Sequence, residues 1–453
     1  MLAGMNVVRL NLSHGDVDEH LERLRRVREA AAELDLPIGV LADLPGPKVR
    51  AGKFPEGGVE LVAGAYLHLK PGDLPSGAGT IWVDYDTLLT DVAVGDRIIL
   101  GDGAICMRIE AVSESHATAI VETGGRTQGS PGVHLPSERL SLTTPTDEDL
   151  ELARTMTEAG VEFLAVSFVR RADDVRQVRD VVGPSVSLVS KIETGAALAD
   201  LAELMAVSDA IMVARGDLGI DCPLEDVPHL QKSIIRQCVE YGLPVITATQ
   251  VMESMVSAPS PTRAEVSDIA NAVFDGTDAL MLSGETAIGH DPALVVETMA
   301  TVAERAEAEA SYRAWASRLG RIQREKWDSL DDRITAAVTH AASEAAVDID
   351  ATAILCCTDS GRTARAMARF RPEMELVALS QNVRTVNTLS LSWGVGPLLV
   401  EPSGSTSDMV AAAVAKSLEH GRIRSGDNAL VLVGSPDRDA TTAANVMRVV
   451  TVR

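Results

Sequence analysis

Ser187-Leu-Val-Ser-Lys-Ile-Glu193, a small-residue stretch from Ala196 to Ala206, and then Ala210-Ile-Met-Val-Ala-Arg-Gly-Asp-Leu-Gly219 form the segment that decides the fold. Two short apolar runs, 186–189 and 210–214, flank what reads as one amphipathic helix. Apolar runs of this length around a helix are the pattern of parallel strands buried on both faces. Each run ends in charge: Lys191 and Glu193 after the first, Arg215 and Asp217 after the second. Those charges fall at the carboxyl ends of neighbouring strands, where barrel and open α/β enzymes place their chemistry. One such residue reads as a solvated strand end, but four at two successive ends point to a site. Glu193 and Asp217 are hard oxygen ligands suited to a divalent ion that keeps positions open for substrate oxygens. Lys191 would place a positive charge beside an anion formed there.

Outward from this unit the same rhythm recurs. Gly4-Met-Asn-Val-Val-Arg-Leu-Asn-Leu-Ser-His-Gly15 reads as a strand opening into a polar turn, followed by a helix from about Val17 to Leu34 with Leu21, Leu24 and Val27 as its apolar stripe. A strand at 38–42 ends in Asp43 and Pro45-Gly46-Pro47-Lys48. Further strands are expected near 162–166, 187–190, 210–213, 244–248 and 278–282, which makes seven, where a (β/α)8 (TIM) barrel needs eight. Thr146 with Asp149 three residues on is a capping-box start for a helix ending at Gly160. Glycine-rich sequence with short apolar pieces at 81–83, 97–100, 105–109 and 117–121 predicts an inserted β-rich domain over 48–144, dividing a barrel of residues 1–47 and 145–320. A polar helical connector over 304–332 leads to a C-terminal α/β domain, 331–453. Strands there at 353–357, 375–379, 396–400, 428–433 and 446–450 predict a mostly parallel sheet.

The 453 residues carry a formal charge of −24 and 46% hydrophobic content. That excess of negative charge argues against nucleic acid or an anionic membrane surface as the main partner. Any anionic substrate must be met by local cations. Cys106, Cys222, Cys238, Cys356 and Cys357 show neither C-x-x-C nor disulfide spacing, which suits a reducing cytoplasm. Arg9, Asn11, Ser13, Asp43, Thr249, Gln250, Ser283 and Glu285 fall on the same set of strand ends, and in a barrel these converge on one mouth. The turn Arg215–Gly219 leads into a short helical stretch whose N–H groups would suit an anion. A phosphorylated, carboxylate-bearing small molecule would satisfy this set. His14, in a turn, reads as a polar capping residue.

Taken together, residues 4–15, Ser190-Lys-Ile-Glu193, Met212–Gly219, Ala248-Thr-Gln-Val-Met-Glu-Ser-Met255, Pro261–Val273 and Asp275–Ala287 resemble the pyruvate kinase family, in order and spacing over most of the chain. Val83–Leu88 with Val94–Gly103 resembles that family's lid. The resemblance implies phosphoryl transfer from phosphoenolpyruvate to ADP, giving pyruvate and ATP, in a cytoplasmic homotetramer. It places Mg2+ (or Mn2+) on Glu193 and Asp217, Arg9 and Lys191 on the transferring phosphoryl group, and Thr249 in the proton relay to carbon. It gives the substrate carboxylate to the backbone of Gly216 and Asp217, and Asn11, His14 and Arg50 to the nucleotide.

Three departures from the family pattern stand out. The sequence begins inside the first barrel helix, so the expectation is a mis-assigned start or an open barrel. Ser130 and Pro131 stand where one or two lysines usually face the ADP phosphates, with Arg126 as the available substitute. Leu44 and Lys48 replace the threonine and glutamate that accompany a potassium site near Asn11, Ser13 and Asp43, so the expectation is that K+ is not required. Thr358, Ser360, Gly361, Arg362 and Thr363 open a helix of the C-terminal domain. They suit either a phosphorylated allosteric effector, which the resemblance favours, or plain N-capping by Ser360. The rival functions are another magnesium-dependent barrel acting on pyruvate or phosphoenolpyruvate, such as an aldolase, and a non-catalytic regulator.

Overall fold

The computed structural model describes residues 1–101, 105–136, 141–310, 319, 329–402, 404–434 and 444–453. Seven parallel strands form one sheet in the order Val7–Asn11, Gly39–Asp43, Phe163–Val166, Ser187–Ile192, Ala210–Ala214, Val245–Ala248 and Ala279–Leu280. Alternate residues of these strands separate into two cores. Val40, Leu164, Leu188 and Ile211 pack outward under the helices, while Leu41, Phe163, Val189, Met212 and Ile246 form an inner cluster. Val7 from the first strand and Ala279 from the last both join that inner cluster, so the sheet curls around a single interior as a (β/α) barrel. The count of seven agrees with the sequence. Among the described residues no strand bridges the first to the last.

The helix Val17–Leu34 has the expected bounds, capped by Asp16 at its start and ended by left-handed Asp35. Thr146 and Asp149 form the reciprocal capping box. The helix expected over 196–206 is instead two, Gly195–Ala199 and Leu201–Val207, broken at Asp200, whose carboxylate accepts the Ala172 N–H at 2.9 Å. The turn after Ala214 is itself helical, Arg215–Asp221. The last barrel strand is only Ala279–Leu280, shorter than expected.

The insertion is β-rich. Besides the four expected strands it contains Phe54–Leu61, Tyr66–Pro71, Gly125–Gly129 and Val133–His134. Phe54–Leu61 escapes a period-two reading because Gly57 and Gly58, both at positive φ, shift the register between Phe54 and Val59. Residues 102–103 of the lid motif, and residues 311–318 and 320–328 of the expected connector, lie outside the described residues.

The C-terminal block is a five-stranded sheet, four strands parallel and Ala444–Thr451 antiparallel at one edge. Its Ile354, Leu376 and Leu430 run into the same core that covers the barrel's outside. At this seam Glu162, 3% exposed, is the meeting point: its carboxylate accepts from Arg28 at 2.7 Å, from the Val40 N–H at 2.8 Å and from Asn387 at 3.2 Å. Arg384 adds a hydrogen bond to the Val161 carbonyl at 2.8 Å. Removing one partner of a buried ion pair strands the other charge. Because Arg28 is partly exposed, Glu162→Gln is expected to lower unfolding free energy by about 2 kcal/mol in denaturant titration; a loss no larger than that of an ordinary surface substitution would remove Glu162 from this role.

Candidate active site

Strand parity sets the site. Arg9 shares the inward face with Val7, Asp43 with Leu41, and Lys191 with Val189, so three charged side chains enter the barrel mouth where each strand runs out of apolar residues. Asp43, 1% exposed, joins two of them. Its Oδ2 accepts from Arg9 Nε at 2.7 Å and pairs with Arg9 NH2 at 2.6 Å, while its Oδ1 lies 3.2 Å from Lys191 Nζ. Lys191 also contacts Glu193 Oε1 at 2.9 Å and donates to Ser167 Oγ at 2.7 Å. Burial works against the charge of Asp43, but Lys191 and Arg9 outweigh it and hold its pKa below the usual carboxylate value. Burial likewise works against the Lys191 ammonium, but Asp43 and Glu193 prevail and raise its pKa. Its two carboxylate partners thus favour the charged form of Lys191.

Glu193 behaves differently. It is 2% exposed, and burial together with the negative charge of Asp217 raises its pKa despite Lys191. Its Oε2 accepts the Phe168 N–H at 2.6 Å. Two carboxylates whose charges oppose one another, one of them buried, fit a hard dication, which would relieve the repulsion. Among the described residues no group of three or more His, Cys, Asp or Glu gathers as a metal cluster.

The nucleotide-side candidates share the same field. The His14 pKa is lowered by burial, then by Lys48, Arg50 and Arg9. That of Lys48 is lowered by partial burial of its ammonium, by Lys191 and by Arg50, against the pull of Asp43 and Asp217. Lys48 keeps solvent exposure and follows a fixed turn. Gly46 there has φ +67°, a Cβ on it would meet Phe168 at 2.8 Å, and its N–H donates to the capping-box residue Asp149 at 2.9 Å. Asn11 accepts the Ser13 N–H at 3.2 Å, and Arg50 donates to the Ser130 carbonyl at 3.2 Å.

Thr249, at φ 67°, accepts the Gly216 N–H at 2.8 Å and donates to the Ala248 carbonyl at 2.6 Å. The Gly216 donor expected for a substrate carboxylate therefore already has a partner. Leu44 is buried in the core, and its carbonyl accepts from Ser167 at 2.7 Å. Arg126 donates to the Gly57 carbonyl within the lid. Glu285, read as a rim residue, is 1% exposed and accepts the Met252 N–H at 3.0 Å and the Ser283 N–H at 2.7 Å, a structural role.

Thr358 to Thr363 lie in the C-terminal block. The helix Arg362–Ala368 there begins at Gly361, φ 79°, with no side-chain cap, so capping by Ser360 is not what the structure has: a left-handed glycine turns the chain instead. Thr363 is buried, and Arg362 pairs with Asp332 at 2.9 Å.

Ser167 and Phe168 join the site without having been expected there. Their signal is present in the sequence: Phe163-Leu-Ala-Val-Ser167 is another apolar run ending in a polar residue at a strand end.

Among the described residues no helix is long and apolar enough to cross a membrane. The family described as "Pyruvate kinase, barrel domain" matches residues 1–296, and "Pyruvate kinase, alpha/beta domain" matches residues 336–450. A Bacillus licheniformis protein named pyruvate kinase is 39% identical over 458 residues, covering 100% of this chain and 77% of its own length. One from Staphylococcus aureus (strain USA300), with the same name, is 37% identical over 452 residues, covering 99% of this chain and 76% of its own.

Proposed function

The chain belongs to the pyruvate kinase family, and we propose that Arg9, Lys191, Glu193 and Asp217 at the barrel mouth carry the family's reaction. That reaction moves the phosphoryl group of phosphoenolpyruvate to ADP and leaves pyruvate. The observation that supports this assignment of residues is the buried Asp43 carboxylate holding Arg9 and Lys191 side by side.

Phosphoryl transfer needs little covalent help from the protein, so positioning and fixed charge supply most of the rate. Arg9 and Lys191 face the phosphoryl oxygens already aligned, with no reorganisation left to do when charge moves. Lys191 then meets the enolate oxygen as phosphorus departs. Glu193 and Asp217 would hold the divalent ion, Mg2+ or Mn2+; when bound, it supplies Lewis-acid neutralisation of the substrate's oxygens. The substrate carboxylate takes the backbone of Gly216 and Asp217, displacing the Thr249 hydroxyl from the Gly216 N–H. That displacement frees Thr249 for the proton step at carbon. Asn11, His14 and Arg50 border the nucleotide.

A coupled assay of pyruvate formation from phosphoenolpyruvate and ADP tests the activity, and Lys191→Met tests the site. Turnover should fall by roughly 10²–10³-fold with the fold kept, read from an unchanged circular dichroism spectrum, while the melting temperature falls because Asp43 and Glu193 lose a buried partner. Near-normal turnover in that variant would take Lys191 out of its assigned place.

In this reading the Lys48 ammonium, drawn toward Asp43 and Asp217, takes the place of a monovalent ion, so turnover should not need K+. Rates should be nearly equal in sodium, potassium and tetramethylammonium buffers of matched ionic strength, and Lys48→Glu should create a potassium requirement. A wild-type rate that collapses without potassium refutes the role of Lys48.

Thr358, Ser360, Gly361, Arg362 and Thr363 form the effector site in this reading, supported by a helix start that lacks a side-chain cap. A phosphorylated effector bound there would shift the affinity for phosphoenolpyruvate by linkage. Ser360→Glu should abolish activation by sugar phosphates and nucleoside monophosphates; unchanged activation by all of them excludes the site.

A further inference from the structure

Arg215 looks from its sequence position like one more cation for an anionic substrate. The structure gives it a different role. The strand Val245–Ala248 ends in two consecutive non-glycine residues in the left-handed region, Thr249 at φ 67° and Gln250 at φ 53°. Side chains rarely adopt this conformation, and such residues persist only where the surroundings over-determine them. What surrounds this turn is the Arg215 guanidinium, whose side chain is 10% exposed. Its NH2 donates to the Thr249 carbonyl at 2.7 Å and reaches the Gln250 carbonyl at 3.4 Å, and its Nε donates to the Ala248 carbonyl at 3.3 Å. Three successive carbonyls thus converge on one planar donor group.

The guanidinium is itself aimed from behind. Its NH1 donates to both oxygens of Asp268 at 2.8 and 2.6 Å and to Gln231 Oε1 at 3.3 Å. Asp268 sits in the helix Arg263–Asp275, and Gln231 in the helix Val227–Tyr241. Two helices behind the sheet therefore fix the guanidinium plane, and that plane fixes the turn. On the far side of the turn the Thr249 hydroxyl lies against the Gly216 N–H, next to Asp217.

We propose that Arg215, aligned by Asp268, is the positioning residue that holds Thr249 in its left-handed conformation and so aims its hydroxyl at the proton step. The inference rests on Thr249 serving that step. There the enolate's carbon–carbon π pair takes the proton, its oxygen becomes the ketone carbonyl, and the proton that the relay gives up is replaced from solvent. Arg215 touches neither substrate nor proton. Only a fork-shaped donor can collect these carbonyls and pair with a carboxylate at once, so a lysine cannot take its place.

The test separates the proton step from phosphoryl transfer by following exchange of pyruvate methyl hydrogens with deuterated solvent, read by NMR alongside kcat and KM. Arg215→Lys keeps the charge and loses the fork. It should reduce both kcat and methyl exchange by roughly tenfold to a hundredfold, the size expected when a catalytic group is misplaced by about an ångström. KM for phosphoenolpyruvate should change by less than about threefold, because Arg9, Lys191 and their carboxylate are untouched. Asp268→Asn keeps the shape of a half-exposed side chain and should give the same pattern more weakly, in a protein of native melting temperature. In a Thr249→Ala background Arg215→Lys should bring no further loss, since residues that act as one unit are not additive. Intact exchange in both Arg215→Lys and Asp268→Asn, or a full additional loss in the Thr249→Ala background, overturns the positioning role while leaving Thr249 in place. Full exchange in Thr249→Ala alone instead removes Thr249 from the proton step, and the inference about Arg215 with it.

Discussion

One buried carboxylate, that of Asp43, organises this protein. A buried charge persists only when it is paired and hydrogen-bonded, and Asp43 meets that demand by gathering Arg9, Lys191 and Ser167. The demand runs both ways. The guanidinium of Arg9 and the ammonium of Lys191 would not remain side by side in the barrel interior without it. Asp43 makes it tolerable for two cations to lie close together at the barrel mouth. Ser167 accepts from Lys191 and gives its one proton to the nearer Leu44 carbonyl, at 2.7 Å against 3.3 Å to Asp43 Oδ1, which ties the cluster to the backbone just before the lid.

Most of this arrangement is legible in the sequence because a barrel strand writes two messages in one line. Its outward residues must be apolar to meet the helices, and its inward residues are apolar until the mouth is reached. Lys191 and Asp43 stand out for that reason. Glu285 stands out by the same rule and misleads, because a carboxylate that caps the backbone of Met252 and Ser283 has the same sequence signature as one that faces solvent. The place of Arg215 can be read from its strand end but its role cannot, since its partner Asp268 is 53 positions away and no local pattern links them. The break at Asp200 and the strand Phe54–Leu61 are hidden for a different reason. Both depend on tertiary hydrogen bonds or a glycine bulge that overrides local periodicity.

The C-terminal block meets the barrel at the end of the strands opposite the site. Glu162 accepts from Arg28 on a barrel helix, from the Val40 N–H at the base of a strand and from Asn387 of the C-terminal block. The strand Gly39–Asp43, which carries that Val40 contact, finishes at Asp43.

Inward parity also limits how such a chain can change length. Arg9, Asp43 and Lys191 reach the mouth because each lies an even number of residues from an inward apolar neighbour. Loss or gain of a single codon within any of these strands would turn its charge toward the helices and an oily side chain toward the substrate. The lid's outer edge is less constrained at turns such as Gly64, where a side chain would meet open space. Insertions and deletions among relatives of this protein should therefore collect in the lid and in the loops behind the barrel, and the strands should keep their lengths residue for residue.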